Sequence, residues 1–124
     1  MRRGGVNYPP HKEGPMNSIN LTGRLTRDPE MRTSHSGTAV TDFRLAVQRR
    51  RGREGEDRGA VFVDVVTFGG LAQVCGEHLE KGRQVAVSGR LELDEWETDA
   101  GERRSRHKVI ADEVEFLARP REEA

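Results

Sequence analysis

The sequence predicts a single, mainly β domain, and three observations support that fold class. The 124 residues match one domain in size, because two independent cores of half that length would bury little surface. Twelve valines against two isoleucines, together with 14 glycines, favour strands and turns over a helical bundle. From Ile19 onward, apolar residues recur at alternate positions, which is the period of half-buried strands.

Five segments carry this alternation of apolar and polar residues. They cover residues 19–25, 38–48, 61–68, 84–96 and 103–117. Asp28-Pro29 ends the first segment, because proline cannot donate to a strand ladder. The second ends at residues 49–59, a charged segment that contains nothing to bury and is expected to be a mobile loop. In the fifth, the alternation slips between a basic first half and an apolar second half, which predicts a β-bulge.

One helix is predicted between the third and fourth strands. Leu71, Val74, Cys75 and Leu79 recur at helical spacing, and Gly82 suits the C-terminal cap of a helix. Five strands with one short α-helix between strands 3 and 4 is the order of a five-stranded OB-fold barrel. The sequence therefore predicts an all-β OB-fold.

Composition also divides the chain. Residues 1–15 are rich in glycine, proline and charge and have no apolar period, which predicts a disordered leader. We assign the OB-fold domain to residues 16–120, and residues 121–124 to a short tail.

The composition excludes several classes of protein. No apolar run approaches the roughly 20 residues needed to span a bilayer, so no membrane segment is expected. Arg2 and Arg3 are not followed by the apolar segment of a secretory signal, and the single Cys75 cannot form an internal disulfide. Both observations favour the cytoplasm. The four histidines lie too far apart for a familiar metal site, so no metal and no cofactor are expected.

Motifs typical of catalytic sites are missing from the sequence. It has no phosphate-binding Gly-x-x-x-x-Gly-Lys loop, no Gly-x-Ser-x-Gly nucleophile turn and no His-Glu-x-x-His helix. The glycine-rich segment at residues 52–59 is acidic, whereas a phosphate loop needs donors. The sequence therefore predicts a binding protein with no catalytic residues.

The aromatic residues indicate what is bound. Phe62 and Phe68 are an even number of positions apart on one strand and fall opposite its valine row, and Trp96 falls opposite the apolar row of its own strand. Exposed rings beside cations suit a single-stranded nucleic acid, because rings stack on bases and cations contact phosphates. The basic residues expected beside them are Arg24, Arg44, Arg51, Arg90, Arg104, Arg106 and Lys108.

These residues also have structural explanations. Phe62 and Phe68 could close the barrel or pack against a subunit, and Trp96 could cover its hairpin. The arginine run at 49–53 could be a solvated loop neutralised by the acids that follow it. Three functions stay open at this point: binding of single-stranded DNA, assembly with other proteins through the aromatics, and binding of RNA, which presents the same rings.

Several segments resemble bacterial single-stranded DNA-binding proteins at the right mutual spacing. They are residues 16–30, 43–47, 64–72 and 79–91, and the resemblance covers about residues 16–118. It implies an OB-fold, a homotetramer, and sequence-independent binding and protection of single-stranded DNA during replication, repair and recombination, in the cytoplasm at the nucleoid. It also implies base stacking at Trp96, Phe62 and Phe68.

Two features depart from the pattern of that family. Where the second strand commonly ends with another aromatic platform, this chain has Gln48 followed by three arginines, which favours phosphate contact or arginine stacking there. Residues 119–124 do not form a long flexible tail with an acidic, hydrophobic tip. Protein partners recruited through such a tail are therefore not expected in this short form.

The formal charges balance, with 21 Lys and Arg against 21 Asp and Glu. Nucleic-acid-binding domains usually carry an excess of positive charge. The balance therefore predicts that the cations share one surface with the rings, with acids elsewhere, such as Glu77 and Glu80 on the helix.

Overall fold

Six strands and one helix follow one another in the computed structural model, which describes residues 15–117. The strands are β1 (Ile19–Leu25), β2 (Glu30–Thr33), β3 (Ala39–Gln48), β4 (Ala60–Phe68), β5 (Gln84–Glu97) and β6 (Arg103–Phe116), and the helix is α1 (Gly69–His78). The strand order in the sheet is β1-β5-β6-β4-β3-β2, and β1 also pairs with β3, which makes the sheet a near-ring. The all-β OB-fold prediction is confirmed, with the helix before β5. The tail and residues 1–14 of the leader lie outside the described residues.

One strand was not predicted from the sequence. β2 pairs antiparallel with β3, from Glu30 opposite Asp42 to Thr33 opposite Ala39. All four β2 residues are exposed, so no alternation of apolar and polar residues marks this strand. The sheet thus has six strands where five were predicted.

The helix is shorter than its sequence pattern suggests. α1 ends at His78, and the next residue, Leu79, is already extended while its N–H donates to the carbonyl of Cys75. Gly82, predicted as the helix cap, instead occupies the turn before β5 with a φ of +87°. The predicted helix cap was therefore wrong. The turn nevertheless needs a residue that adopts a positive φ easily, and Gly82 meets that need.

The predicted bulge is confirmed in β6. Ser88 pairs with Glu113 whereas Gly89 pairs with Ala111, so Asp112 is the extra residue. The bulge shifts the alternation of β6 by one position, which explains the slip in its sequence pattern.

The ring closes where β1 meets β3, at the pairs Arg24 with Ala46 and Leu25 with Leu45. Gly23 allows this approach, because a Cβ at that position would lie 2.7 Å from the carbonyl oxygen of Ala46. The closure gives the barrel one interior, and the hydrophobic core fills it.

The fully buried side chains come from β3, β4, α1, β5 and β6 in turn. They include Leu45, Val65, Cys75, Val85 and Val109. Burial raises the pKa of the Cys75 thiol to about 11, so the group stays protonated at neutral pH. Cys75 is a core residue, as its place in the helical pattern predicted. No helix among residues 15–117 is long and apolar enough to cross a membrane.

We predict that Gly89→Ala destabilises the fold. A Cβ at this buried position would collide with the backbone carbonyl of Ile110 and come within 2.9 Å of the Cα of Ala111. Backbone atoms of a paired strand yield little, so the free energy of unfolding should fall by about 1–3 kcal/mol, as in other overpacked sites. Urea denaturation followed by circular dichroism measures it. Ser88→Ala is the control, with an expected change under about 0.5 kcal/mol; equal stability of Gly89→Ala and wild type would contradict the prediction.

Candidate nucleic-acid interface

Alternate residues of β3, β4, β5 and β6 point away from the barrel and form one surface, called here the outer face. Every ring and most of the cations predicted to bind nucleic acid lie on it. Its aromatic and charged members are Arg44, Phe62, Asp64, Phe68, Arg90, Glu92, Asp94, Trp96, Arg104, Arg106 and Lys108.

The three aromatic side chains on the outer face are about half exposed. The exposed fraction is 54% for Phe62, 46% for Phe68 and 48% for Trp96. Phe68 ends β4, directly before α1, and Trp96 lies near the tip of the β5–β6 hairpin, opposite Arg104. None of these rings fills the barrel, so each offers a flat apolar surface to a ligand.

One cation is already stacked on a ring. The guanidinium carbon of Arg44 lies 5.3 Å from the centroid of the Phe62 ring, within the range of a cation–π contact. Such a stack leaves the donors of the guanidinium free for a phosphate. The pair therefore presents an aromatic ring and a cation side by side on the outer face.

Arg24 extends the outer face by one strand. It lies opposite Ala46, which in turn lies opposite Phe62, and its Nη1 donates to the carbonyl of Gly82 at 3.3 Å. Arg51, in contrast, lies in the loop between β3 and β4 and donates to the carbonyl of Gly55 at 3.0 Å. The structure thus joins Arg24 to the outer face and leaves Arg51 within its own loop.

The other predicted cations contact carboxylates. The N–O distances are 2.8 Å for Lys108–Asp94, 3.5 Å for Arg106–Asp64, 3.8 Å for Arg106–Asp94, 2.7 Å for Arg104–Glu102, 3.3 Å for Arg90–Glu92 and 3.8 Å for Arg90–Asp112. The cations share one surface with the rings, as predicted. The expectation that acids lie elsewhere was wrong, because Asp64, Glu92 and Asp94 are interleaved with them.

These charges form an alternating row across four strands. Arg44 on β3 pairs with Asp64 on β4, Asp64 with Lys108 on β6, and Lys108 with Glu92 on β5. Neighbours of opposite sign stabilise a sheet, whereas like charges directly opposite would repel. The row accounts for the zero net charge at the centre of the outer face.

The strand period places acids on the outer face together with the rings, although the charge balance alone suggested that acids lie elsewhere. Asp64 is two positions from Phe62, and Asp94 is two positions from Trp96, so the strand period puts each acid on the same side as its ring. The local alternation therefore predicts the place of these acids correctly, whereas net charge carries no information about which face a charge occupies.

The loop between β3 and β4 carries a different set of cations. Arg49, Arg50, Arg53 and Arg58 form no ion pair among the described residues. They lie beyond the ends of the strands that carry Arg44 and Phe62. No group of three or more metal-ligating side chains occurs within residues 15–117.

Comparison with known proteins agrees with this geometry. Residues 16–117 match the single-strand binding protein family (SSB). Single-stranded DNA-binding proteins of Clostridium tetani and Thermotoga maritima are each 44% identical to the chain, over 103 and 105 residues. These alignments cover 82% and 83% of the chain and 70% and 74% of the respective relatives. That of Caldanaerobacter subterraneus is 40% identical over 102 residues, 82% of the chain and 68% of the relative. The chain belongs to the single-strand binding protein family.

Proposed function

We propose that this chain binds and protects single-stranded DNA without sequence preference, by stacking bases on the outer face while basic side chains contact the backbone. The observation that carries the proposal is the placement of Phe62, Phe68 and Trp96, half exposed, on one surface with cations between them. Stacking tolerates any sequence, because every base has a π-face. Family membership supports single-stranded DNA as the polymer and binding, not catalysis, as the activity.

The path of the strand follows the sheet. It leads from Arg24, across Phe62 with its stacked Arg44, to Trp96 and Arg104 on the hairpin. Arg90, Arg106 and Lys108 lie along this path and Arg51 lies in the loop beside its first part, which supports the same set of contacts that the sequence predicted.

The family also supports the cellular setting of the proposal. Single-stranded DNA is exposed during replication, repair and recombination, and in bacteria these processes take place at the nucleoid, in the cytoplasm. We place the chain there as a coating protein without a cofactor. The binding unit is residues 16–120, to which the described strands belong.

We propose further that the chain forms a homotetramer, as its family resemblance implies. Two features of the fold support self-association. β1 pairs with β3 only at Arg24 and Leu25, so its edge from Ile19 to Gly23 has no second strand partner among the described residues. Leu91 and Leu93 lie on the side of β5 opposite Trp96 and are 42% and 45% exposed. Together they form an exposed apolar surface that a second subunit could cover.

Titration of the sole tryptophan tests the ligand. Because Trp96 is proposed to stack on bases, poly-dT should quench its fluorescence strongly, whereas matching RNA and duplex DNA should leave it nearly unchanged. Equal quenching by RNA would make the chain a general single-strand binder. No response to any of the three polymers would favour a protein interface at the rings and would contradict the proposal.

We predict that Trp96→Ala weakens binding of a fluorescein-labelled dT oligonucleotide about tenfold, because one stacked base contributes roughly 1–3 kcal/mol. Fluorescence anisotropy measures the Kd. Trp96→Phe keeps a ring and should retain most of the affinity. Val74→Ala removes a half-exposed apolar side chain from α1, away from the outer face, and should bind as wild type does. Unchanged affinity of Trp96→Ala would remove this residue from the site.

The tetramer predicts a mass close to four times the 13.9 kDa of the chain. Light scattering coupled to size-exclusion chromatography at micromolar concentration measures it directly. A mass equal to that of one chain at every concentration would contradict self-association. That outcome would leave DNA binding by the single barrel to be judged by the titration above.

A further inference from the structure

The ion pairs at the centre of the outer face converge on one carboxylate. Asp94 accepts from Lys108 at 2.8 Å and lies 3.8 Å from a guanidinium nitrogen of Arg106. It is the one described residue of this face that contacts two of the cations proposed to bind phosphate. Asp94 therefore lies beside both cations, and Asp64 lies 3.5 Å from Arg106 as well.

The Lys108–Asp94 pair is less hydrated than the other ion pairs on the outer face. The Lys108 side chain is 18% exposed and that of Asp94 is 37% exposed, whereas Arg104 and its partner Glu102 are each more than half exposed. Removal of water strengthens a charge pair, because the screening between the two charges falls. Lys108 is thus held by Asp94 more firmly than Arg104 is held by Glu102.

A carboxylate at this place opposes the binding of DNA phosphate to the neighbouring cations. Phosphate carries the same sign of charge as Asp94, so its approach to Lys108 or Arg106 is opposed unless Asp94 yields them. At Arg44 and in the loop no such exchange is needed, because Arg44 is stacked on Phe62 and the loop arginines Arg49 and Arg50 have no carboxylate partner among residues 15–117. The outer face therefore has cations that are open to phosphate and cations that are withheld from it.

We propose that Asp94 sets the affinity of this chain for single-stranded DNA by competing with phosphate for Lys108 and Arg106. The inference rests on the proposed function. In the wild type, phosphate contacts Lys108 and Arg106 only by displacing Asp94, whereas Arg44 and the loop are open to it. Asp94 thereby limits the number of phosphate contacts and keeps the complex easier to dissociate than its count of cations suggests.

The opposite role for Asp94 makes a distinct prediction. If its carboxylate orients Lys108 and Arg106 toward DNA, its removal would loosen both cations and weaken binding. Competition predicts tighter binding and a stronger dependence on salt, because each added phosphate contact releases counterions. The two roles therefore differ in the sign of both measurements.

The test compares wild type, Asp94→Asn and Glu115→Gln in binding a labelled dT oligonucleotide over a series of NaCl concentrations. Glu115 is exposed, lies at the far end of β6 opposite Ala86, and loses the same charge on substitution. Asp94→Asn should bind about fivefold more tightly at low salt, the scale of a freed ion pair. When the logarithm of its binding constant is plotted against the logarithm of the salt concentration, the slope should be more negative by about 0.7 for each additional phosphate contact. Glu115→Gln should change affinity by less than about twofold, with the wild-type slope.

Thermal unfolding of the three proteins shows whether each is folded at the temperature of the titration. Unchanged or weaker binding by folded Asp94→Asn, with the wild-type slope, would overturn the inference. An equal gain in Glu115→Gln would also overturn it, because total charge would then be the cause. Absence of DNA binding by wild type would instead overturn the proposed function, on which the inference depends.

Discussion

The outer face depends on one close contact, the closure of the ring between β1 and β3. Because Gly23 has no side chain, β1 can approach the Ala46 carbonyl and place Leu25 beside Leu45 in the interior. Once the ring is closed, the inward residues of each strand fill the core, and the alternate residues lie outside the barrel. The exposure of Phe62 and Trp96 is thus a consequence of barrel geometry, and it places apolar rings where only a ligand or another subunit can cover them.

The strand period accounts for most of what the sequence predicted correctly. It assigned Phe62 and Phe68 to one face because alternation is a local property that the backbone imposes on every strand. It could not detect β2, whose residues from Glu30 to Thr33 are all exposed and whose position is set by pairing with β3. The sequence pattern also placed the end of the helix too late, because a glycine such as Gly82 is equally typical of a helix cap and of the turn that it occupies here. Pairing between strands decides these features, and a single strand does not encode it.

Cross-strand register also explains how a chain of zero net charge forms a cationic site. Arg44, Asp64, Lys108 and Glu92 are far apart in sequence, and only the register of four strands aligns them in a row of alternating sign. The row stabilises the sheet locally and cancels the field at its centre. Arginines without a carboxylate partner among the described residues remain in the loop between β3 and β4, beside the outer face.

The β5–β6 hairpin adds a mechanical aspect to this charge arrangement. β1 pairs with β5 only as far as Gly89, and β4 pairs with β6 from Lys108 onward, so the part that carries Trp96 extends beyond the barrel as a two-stranded ribbon. Such a ribbon is marginally stable alone. The ion pair of Arg106 with Asp64 on β4 connects the base of this ribbon to the barrel, and an exposed pair of this kind contributes about 1 kcal/mol or less. Trp96 therefore lies on the part of the β5–β6 hairpin that has no further strand partner among the described residues.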